Sequence, residues 1–242
     1  MNFLGELVVL EAKQRESPGI NSKVRGYSMK IGIIGSGAVG QALGKGFADL
    51  GHEVKLGTRD INQEKVRTWL AKTGPRATAG SFAEAAAFGE RLVLATSWSG
   101  TESAIKLADK RNMAGKVVID VTNPLSFAAG GPPTLALGHT DSGGEQVQRW
   151  LANSHVVKAF NIIGNPFMVN PQFPGGPPDM FICGNNAEAK QSVTDILTAF
   201  GWSTIDLGGI ESSRYLEPLA MVWITYGFRT NSWSHAIKLL HK

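Results

Sequence analysis

Short apolar runs alternate with longer segments of helical spacing along most of this chain. The runs are rich in Val and Ile, which is typical of strands buried on both faces. This alternation predicts a parallel sheet with helices on both sides. Predicted strands span residues 29–34, 53–56, 92–95, 116–121, 156–160, 180–183 and 203–207, and predicted helices span 38–50, 62–72, 81–88, 101–110, 145–151, 187–200 and 211–240. Ser81 and Glu84 match the capping-box pattern Ser-x-x-Glu at the start of the third helix.

The pattern indicates an α/β fold with a Rossmann-type doubly wound, mainly parallel sheet and a small C-terminal α/β portion. Residues 1–28 lack both a basic leader and a clean periodicity, so we expect a flexible N-terminal extension there. A dinucleotide-binding domain is expected over residues 29–161. A smaller substrate or acceptor portion is expected over residues 162–242.

The turn after the first predicted strand matches the pattern G-x-G-x-x-G. Its residues are Gly35, Ser36, Gly37, Ala38, Val39 and Gly40. The pattern is weak alone, but here it directly follows a buried strand and directly precedes a helix. The glycines permit a tight turn, a close approach of the backbone to a pyrophosphate, and close packing of helix on strand. A pyrophosphate site is therefore predicted at this helix N-terminus.

The end of the second predicted strand indicates which dinucleotide binds. An NAD site usually carries an acidic residue there, about 20 residues past the first glycine. This chain has Thr58 and Arg59 instead, and Asp60 is interpreted as a helix cap. The hydroxyl of Thr58 can donate a hydrogen bond to a 2′-phosphate and the guanidinium of Arg59 suits its oxygens, so NADP(H) is predicted rather than NAD(H). Lys65, one helical turn further on, is interpreted as part of a solvated helix face.

Polar and aromatic residues follow three further strands at the same predicted edge of the sheet, where ligands of open α/β sheets bind. They are Thr96, Ser97, Trp98, Asn123 and Asn161. The first three are expected to line the ribose and nicotinamide, with plain packing as the alternative for Trp98. The two amides are candidates for orienting a nicotinamide or a substrate, with loop capping as the alternative.

Composition excludes several other classes. The net charge of +4 is scattered, whereas nucleic-acid binding needs a basic face, and no apolar run approaches the ~20 residues of a membrane span. The single cysteine, Cys183, is predicted to be a buried strand thiol, which suits a cytoplasmic location. The five histidines show no metal-ligand spacing, and His139 is only a weak candidate for proton transfer. No catalytic residue is assigned, and Lys158 is expected to be structural or adjacent to the cofactor.

Several segments together resemble the NADP oxidoreductases that depend on coenzyme F420. They are residues 29–37, Thr58-Arg59-Asp60, Trp98, residues 121–124, residues 157–161 and residues 216–221. The reductase domain of the ferric-reducing STEAP membrane proteins is also similar. The resemblance implies NADP(H) as cofactor, with a small C-terminal portion closing over the nicotinamide. It also implies direct hydride transfer between NADPH and C5 of the deazaflavin, which needs stacked rings more than an acid or a base.

The identity of the hydride acceptor stays open at this point. Family members that use the deazaflavin often carry Pro at the position of Ser97 and His near Asn161. The expected partner is thus a small-molecule hydride acceptor, either coenzyme F420 or another flavin-like molecule. The alternatives are an NADP-dependent reductase of a small imine or keto acid, and a non-catalytic NADP(H) redox sensor. A homodimer is also a hypothesis, because the terminal segment from Trp223 to Trp233 is unusually apolar, with core packing as the alternative explanation.

Overall fold

The computed structural model describes residues 28–128 and 132–240 and contains an eight-stranded sheet in the order β10-β9-β8-β5-β4-β1-β2-β3. All neighbouring strands are parallel except β8 and β9, so the predicted fold class is confirmed. The strands are β1 (Lys30–Ile34), β2 (Glu53–Gly57), β3 (Ala77–Gly80), β4 (Arg91–Leu94), β5 (Val117–Asp120), β8 (His155–Lys158), β9 (Asp179–Gly184) and β10 (Ser203–Asp206). A separate hairpin pairs β6 (Leu125–Ser126) with β7 (Thr134–Leu135).

Helices pack on the sheet and bury the apolar runs of its strands. They are α1 (Ala38–Asp49), α2 (Glu64–Thr73), α3 (Phe82–Phe88), α4 (Trp98–Ala108), α5 (Lys110–Met113), α6 (Gly143–Trp150), α7 (Ala187–Ala199) and α8 (Ser213–Thr230). The central strand β1 is buried from Ile31 to Ile34. These buried aliphatic side chains hold the strand ends in fixed positions, and the loops that follow those ends form the candidate site.

Close packing of α3 on β1 explains the run of alanines in that helix. A Cβ atom at Gly32 would lie 2.1 Å from the backbone carbonyl oxygen of Ala85, and one at Gly57 would lie 3.0 Å from the Cβ of Ala85, so the helix leaves little room for larger side chains at this contact. The predicted capping box is confirmed: Ser81 accepts a hydrogen bond from the N–H of Glu84, whose carboxylate accepts one from the N–H of Ser81. Both groups fix the start of α3 beside the end of β2.

Several predicted boundaries are wrong. Gln63, and not Asp60 or Asn62, precedes α2, because the carboxylate of Asp60 accepts a hydrogen bond from the N–H of Asn62 in a separate turn. The helix predicted over residues 101–110 begins at Trp98. It ends before Asp109, whose positive φ of 60° breaks the helical path before α5. Strand β3 and the β6–β7 hairpin were not predicted.

The terminal helix is shorter than predicted. It ends at Thr230, where Asn231 adopts a left-handed conformation with φ of 48°. Residues 231–240 instead fold back along α8 without helical structure. The indole N–H of Trp223 donates to the carbonyl of His235, and the N–H of Asp179 donates to the carbonyl of Ile237. These bonds to α8 and to the start of β9 replace the helical ladder that the pattern predicts.

The proposed domain limits and the N-terminal extension stay predictions. Residues 1–27 lie outside the described residues, and β9 and β10 continue the same sheet as the strands before them. No helix of the described chain is both long and apolar enough to cross a bilayer.

Candidate functional site

Two glycines of the turn between β1 and α1 are required by the fold itself. Gly35 has a φ of +130°, and a Cβ atom there would lie 2.2 Å from the carbonyl oxygen of Ala95. A Cβ atom at Gly40 would lie 2.1 Å from the carbonyl oxygen of Gly35. Side chains at these positions would push α1 away from the sheet. The first and third glycines therefore set the close packing between turn, helix and neighbouring strand.

Gly37 is different, because neither backbone conformation nor packing requires a glycine there. Its φ of −77° and ψ of 180° suit any residue. No heavy atom lies within 4 Å of the position that its Cβ would take. Gly37 precedes α1 and provides no side-chain cap, so the first N–H groups of the helix, which begins with Ala38 and Val39, have no side-chain partner there. The missing side chain leaves open space in front of a helix N-terminus, which fits a bound phosphate group.

A cavity of about 430 Å³ opens at this turn and extends over the ends of β2 and β4. Among the predicted site residues, it is lined by Gly35, Ser36, Gly37, Thr58, Arg59, Thr96 and Ser97. The cavity is also lined by Gln63, Lys65, Phe82, Ala95, Ser99, Gly100, Ser103, Ala104 and Leu107. None of the described residues lining it is acidic, so an anionic ligand meets no carboxylate there.

Thr58 couples the glycine turn to the loop after β2. Its buried hydroxyl accepts a hydrogen bond from the hydroxyl of Ser36 at 3.1 Å and donates to the carbonyl of Asp60 at 3.2 Å. Its N–H donates to the carbonyl of Gly80, which anchors the loop on β3. In this arrangement Thr58 positions the loop, and the hydroxyl that was predicted to donate to a phosphate donates within the protein.

Arg59 and Lys65 supply positive charge to the cavity. Both side chains are exposed, and neither forms an ion pair with another residue in the described parts of the chain. Lys65 lies in the first turn of α2, which brings it to the same wall as Arg59. Lys65 was interpreted from the sequence as part of a solvated helix face, but it lines the same cavity wall as Arg59. Two cations that are unpaired within the described chain, beside a cavity without acidic lining, suit a charged phosphate group.

The remaining predicted residues lie outside this cavity. Trp98 begins α4 and stacks on Trp150 of α6, with ring centroids 5.5 Å apart. The side-chain amides of Asn123 and Asn161 contact each other: the side-chain N–H of Asn161 donates to the side-chain oxygen of Asn123 at 3.1 Å. The structure thus brings the ends of β5 and β8 together, as predicted from their place at one edge of the sheet.

Asn161 retains one polar atom without a protein partner. Its amide nitrogen also donates to the carbonyl of Leu216 at 3.0 Å, which ties the β8 end to α8. Its side-chain oxygen, however, is buried and accepts no hydrogen bond from the described residues. A buried acceptor of this kind loses its hydrogen bonds to water unless a ligand or an ordered water donates to it.

A buried charged cluster lies next to this edge. The Lys158 ammonium is 2.9 Å from a carboxylate oxygen of Asp120 and 3.1 Å from one of Glu217, and all three side chains are buried. It also donates to the carbonyl of Thr122 at 2.7 Å. Burial alone disfavours the ammonium, but the two carboxylates outweigh that effect and raise the pKa of Lys158 above its ordinary value. Lys158 is thus a charged structural residue rather than a proton donor.

Glu217 connects this cluster to α6. Its carboxylate accepts hydrogen bonds from the N–H groups of Gly143 and Gly144, both at 2.9 Å. A negative charge at a helix N-terminus is favourable, and here it is buried with its partners. The residues Lys158, Asp120 and Glu217, called the charged cluster below, therefore join β5, β8, α6 and α8.

Cys183 and His139 have no catalytic surroundings. Cys183 is buried, as predicted, and burial raises the pKa of its thiol to about 11. A thiol with such a raised pKa is a poor nucleophile. His139 is exposed in the loop after β7 and adopts a positive φ of 58°. Within residues 28–128 and 132–240, no three His, Cys, Asp or Glu side chains cluster closely enough to hold a metal ion.

The sequence analysis missed the wall that α4 contributes. Ser99, Ser103 and Leu107 recur every four residues on one face of this helix and line the cavity. This spacing is a helix-face signal that is visible in the sequence. It was overlooked because the helix was predicted to begin at residue 101, which put Ser99 in a loop.

Comparisons with known proteins identify the family of this chain. Residues 30–124 match the family model described as NADP oxidoreductase, coenzyme F420-dependent. An F420-dependent NADP reductase of Methanocaldococcus jannaschii is 32% identical over 158 residues, covering 64% of this chain and 70% of the relative. A solved structure from Arthrobacter sp. FB24, provisionally described as an F420-dependent NADP reductase, is 37% identical with a TM-score of 0.84. It covers 88% of this chain and 100% of its own.

Two further proteins are similar to this chain, one over part of its own length and one in fold alone. The metalloreductase STEAP3 of Rattus norvegicus is 28% identical over 216 residues, covering 85% of this chain, which spans only 39% of the length of that relative. An imine reductase of a Pseudomonas species is 16% identical with a TM-score of 0.62, covering 85% of this chain and 64% of its own, a likeness of fold alone.

The mainly parallel sheet and the glycine turn at its carboxyl edge define a dinucleotide-binding protein of the Rossmann type. More particularly, the chain belongs to the family of coenzyme F420-dependent NADP oxidoreductases. It is therefore related to oxidoreductases that use NADP(H), as the sequence predicts.

Proposed function

We propose that this protein transfers hydride between NADPH and a deazaflavin of the coenzyme F420 type. The observation that carries the cofactor part is the cavity at Gly37, which has open space at a helix N-terminus, two unpaired cations and no acidic lining among the described residues. The acceptor part is supported by the names of the relatives in the same family.

The residues around the cavity suit the three parts of the cofactor. The N–H groups that follow Gly37 would bind the pyrophosphate, in the space that a side chain at this position would fill. Arg59 and Lys65 would bind the 2′-phosphate, because both are exposed at one wall and lack carboxylate partners in the described chain. Thr96 and Ser97, at the end of β4, would border the ribose on the nicotinamide side.

The far end of the site belongs to Trp98, Asn123 and Asn161. Asn161 lies at the end of β8 and would border the carboxamide of the nicotinamide, and its buried side-chain oxygen has no hydrogen-bond partner among the described residues. The side chain of Asn123 holds the side-chain amide of Asn161 in place. Trp98, stacked on Trp150, would form a rigid apolar wall that excludes water from the ring. When bound, NADPH supplies a hydride from its nicotinamide ring. The protein then has mainly to orient two rings.

The surroundings favour hydride transfer over reactions that need an acid or a base. The ionisable groups next to the amide pair are those of the charged cluster, and they are buried and paired with one another. An imine reductase needs a proton donor near the reacting carbon, and none of these groups is placed to serve. We also propose that the portion after residue 161 closes this end of the site, since Leu216 and Glu217 of α8 contact Asn161 and α6.

The test is oxidation of NADPH by the purified protein, with coenzyme F420, with FMN, with a cyclic imine, or with no acceptor. We expect rapid oxidation with the deazaflavin, little without acceptor, and weaker rates with NADH. Equal rates for NADH and NADPH would contradict the role of Arg59 and Lys65. Tight NADPH binding with turnover by the imine alone would contradict the acceptor while retaining the cofactor. Binding with no turnover by any acceptor would favour a redox sensor.

A further inference from the structure

The carboxylate of Glu217 is buried and uses both of its oxygens. The side chain lies in the second turn of α8 and is 1% exposed. One oxygen accepts a hydrogen bond from the N–H of Gly143 at 2.9 Å. The other accepts one from the N–H of Gly144 at 2.9 Å and lies 3.1 Å from the ammonium of Lys158. Because a buried charge is costly unless all its partners are in place, this carboxylate is held in one position between α6, α8 and β8.

The start of α6 depends on this carboxylate. The first N–H groups of a helix have no partner within the helix itself. In α6, Glu217 accepts hydrogen bonds from the first two, those of Gly143 and Gly144, and the hydroxyl of Ser142 accepts one from the third, that of Glu145. Glu217 therefore fixes the place where α6 begins, although it is 73 positions away from Gly144.

The start of α6 in turn contacts the nicotinamide end of the proposed site. A Cβ atom at Gly143 would lie 3.2 Å from the ring of Pro124 and 3.3 Å from the ring of Trp98. The last residue of the same helix, Trp150, stacks on Trp98. Trp98 is thus held by both ends of α6. A shift of Gly143 would press on Trp98 and Pro124, because packed interiors leave no free space to absorb it.

A second path leads from Glu217 through Lys158 to the loop after β5. The ammonium of Lys158 donates to the carbonyl of Thr122 at 2.7 Å. The N–H and the hydroxyl of Thr122 donate to one oxygen of Asp120, at 2.9 Å and 2.7 Å. Hydrogen bonds to charged groups are short and strong, so Thr122 is firmly held. Its neighbour in the chain is Asn123, whose position therefore follows that of the ammonium.

The residue before Glu217 completes this arrangement. The carbonyl of Leu216 accepts a hydrogen bond from the side-chain amide of Asn161 at 3.0 Å. The side-chain amide of Asn123 donates to the backbone carbonyl of Asn161 at 2.8 Å. The three residues expected to border the nicotinamide, Trp98, Asn123 and Asn161, are thus all connected to one turn of α8.

We infer that Glu217 is a positioning residue for hydride transfer, because it holds the nicotinamide end of the site through α6 and through Lys158. The inference rests on the proposed function, since it requires a nicotinamide bound at this end. Rates of reaction between two held rings fall steeply when either ring is displaced. The cavity for the phosphate groups is lined by other residues. Glu217 should therefore determine the rate of transfer far more than the affinity for NADPH.

Glu217→Gln tests this inference at nearly constant side-chain size. An amide has one acceptor oxygen and one donor NH₂ group, so at least one N–H group of α6 then faces a donor and is displaced. The Kd for NADPH should stay within about threefold of that of the parent. Single-turnover hydride transfer to coenzyme F420 oxidises NADPH and reduces the deazaflavin, with uptake of a proton from water. Its rate should fall about tenfold or more. A parental rate would overturn the inference.

Val193→Ala is the control for a general loss of stability. Val193 is buried in α7 near the opposite edge of the sheet, where its neighbour Ser192 accepts a hydrogen bond from Arg91 at the start of β4. The variant leaves a small cavity and should lower the melting temperature. Its transfer rate, measured well below that temperature, should equal that of the parent. An equal slowing in Val193→Ala and Glu217→Gln would mean that the effect is structural only, which contradicts positioning.

Gly143→Ala tests the same path with Glu217 intact. The added methyl group would lie 3.0 Å from the carboxylate of Glu217, 3.2 Å from Pro124 and 3.3 Å from Trp98, so these groups must move apart by a few tenths of an ångström. We expect slower transfer with NADPH binding retained. Gly175→Ala, which has open surroundings, is the matched control. If Glu217→Gln does not fold, a parental transfer rate in Gly143→Ala would overturn the inference.

The fluorescence lifetime of bound NADPH distinguishes failure of this inference from failure of the proposed function. It requires no acceptor, and it lengthens when the nicotinamide ring is held rigidly. At saturating NADPH, we expect a long lifetime in the parent and a shorter one in Glu217→Gln. If the parent shows that difference but reduces no deazaflavin, the acceptor is wrong and the positioning role of Glu217 is supported. Equal lifetimes in the two proteins would overturn the inference, whichever acceptor the parent uses.

Discussion

The cavity at Gly37 and the charged cluster lie at the same edge of one sheet, yet their charged side chains differ in burial and in pairing. The cavity is lined by segments that come after β1, β2 and β4. Its cations, Arg59 and Lys65, are exposed and unpaired within the described chain. The cluster follows β5 and β8, and its lysine is buried between two carboxylates. Unpaired charge beside open space indicates a ligand site, whereas paired and buried charge indicates a cluster that holds elements of the fold together.

The comparison separates two lysines by their surroundings. Lys158 is predicted from the sequence to be structural or adjacent to the cofactor. Its ammonium is fully occupied by Asp120, Glu217 and a backbone carbonyl, so it has no proton to exchange with a substrate. Lys65 was set aside as a solvated residue. It lies on the cavity wall and has no partner within the described residues.

The largest expected effect is on the cluster. Lys158→Met leaves the carboxylates of Asp120 and Glu217 buried without their cation. Removing one member of a buried ion group costs about 3–5 kcal/mol, so we expect a loss of that size in the free energy of unfolding. Urea denaturation measures it. The double variant Lys158→Met with Asp120→Asn should recover part of the loss. If the single variant is as stable as the parent, the cluster does not stabilise the fold.

The next largest effect separates binding from folding at the cavity. Gly37→Val fills open space only, because the backbone conformation suits a β-branched residue and nothing lies within 4 Å. We expect NADPH binding to weaken about a hundredfold, or ~2.7 kcal/mol, while the melting temperature stays the same or rises slightly. Gly175→Val is the control, since it too has open surroundings and an ordinary φ but lies outside the cavity.

How far the sequence predicts this molecule can be judged from these two regions. The glycine turn and the capping box at Ser81 are local patterns, and the structure has both where they were expected. The cluster depends on Glu217, which is separated from Lys158 by 59 positions and becomes its neighbour only when α8 packs on α6. No local pattern carries that information. The cavity wall formed by α4 is an intermediate case. The four-residue spacing of its lining side chains is visible in the sequence, but the start of the helix was predicted at the wrong residue.

The pH dependence of stability should reflect the buried thiol next to the cluster. The pKa of Cys183 is raised from 9.0 to about 11 in the folded protein. The neutral thiol is thus favoured by folding, and this contribution is fully present below pH 9 and is lost as the pH rises toward 11. We expect the parent to lose about 2 kcal/mol more than Cys183→Ala over this interval, as measured by denaturation at each pH. Parallel curves for both proteins would mean that the thiol ionises as freely as in water.

The smallest effect, and the most selective, concerns the cation at the open end. Arg59→Ala removes a charge-assisted hydrogen bond to the 2′-phosphate, which NADH lacks. We expect the Kd for NADPH to rise about tenfold and that for NADH to change less than twofold. Arg67→Ala is the matched control, because Arg67 is also exposed and lies on α2 but does not line the cavity. Calorimetric titration with both nucleotides measures the difference. Equal losses would place Arg59 at the pyrophosphate, shared by both cofactors, and the basis for preferring NADP(H) would then rest on Lys65.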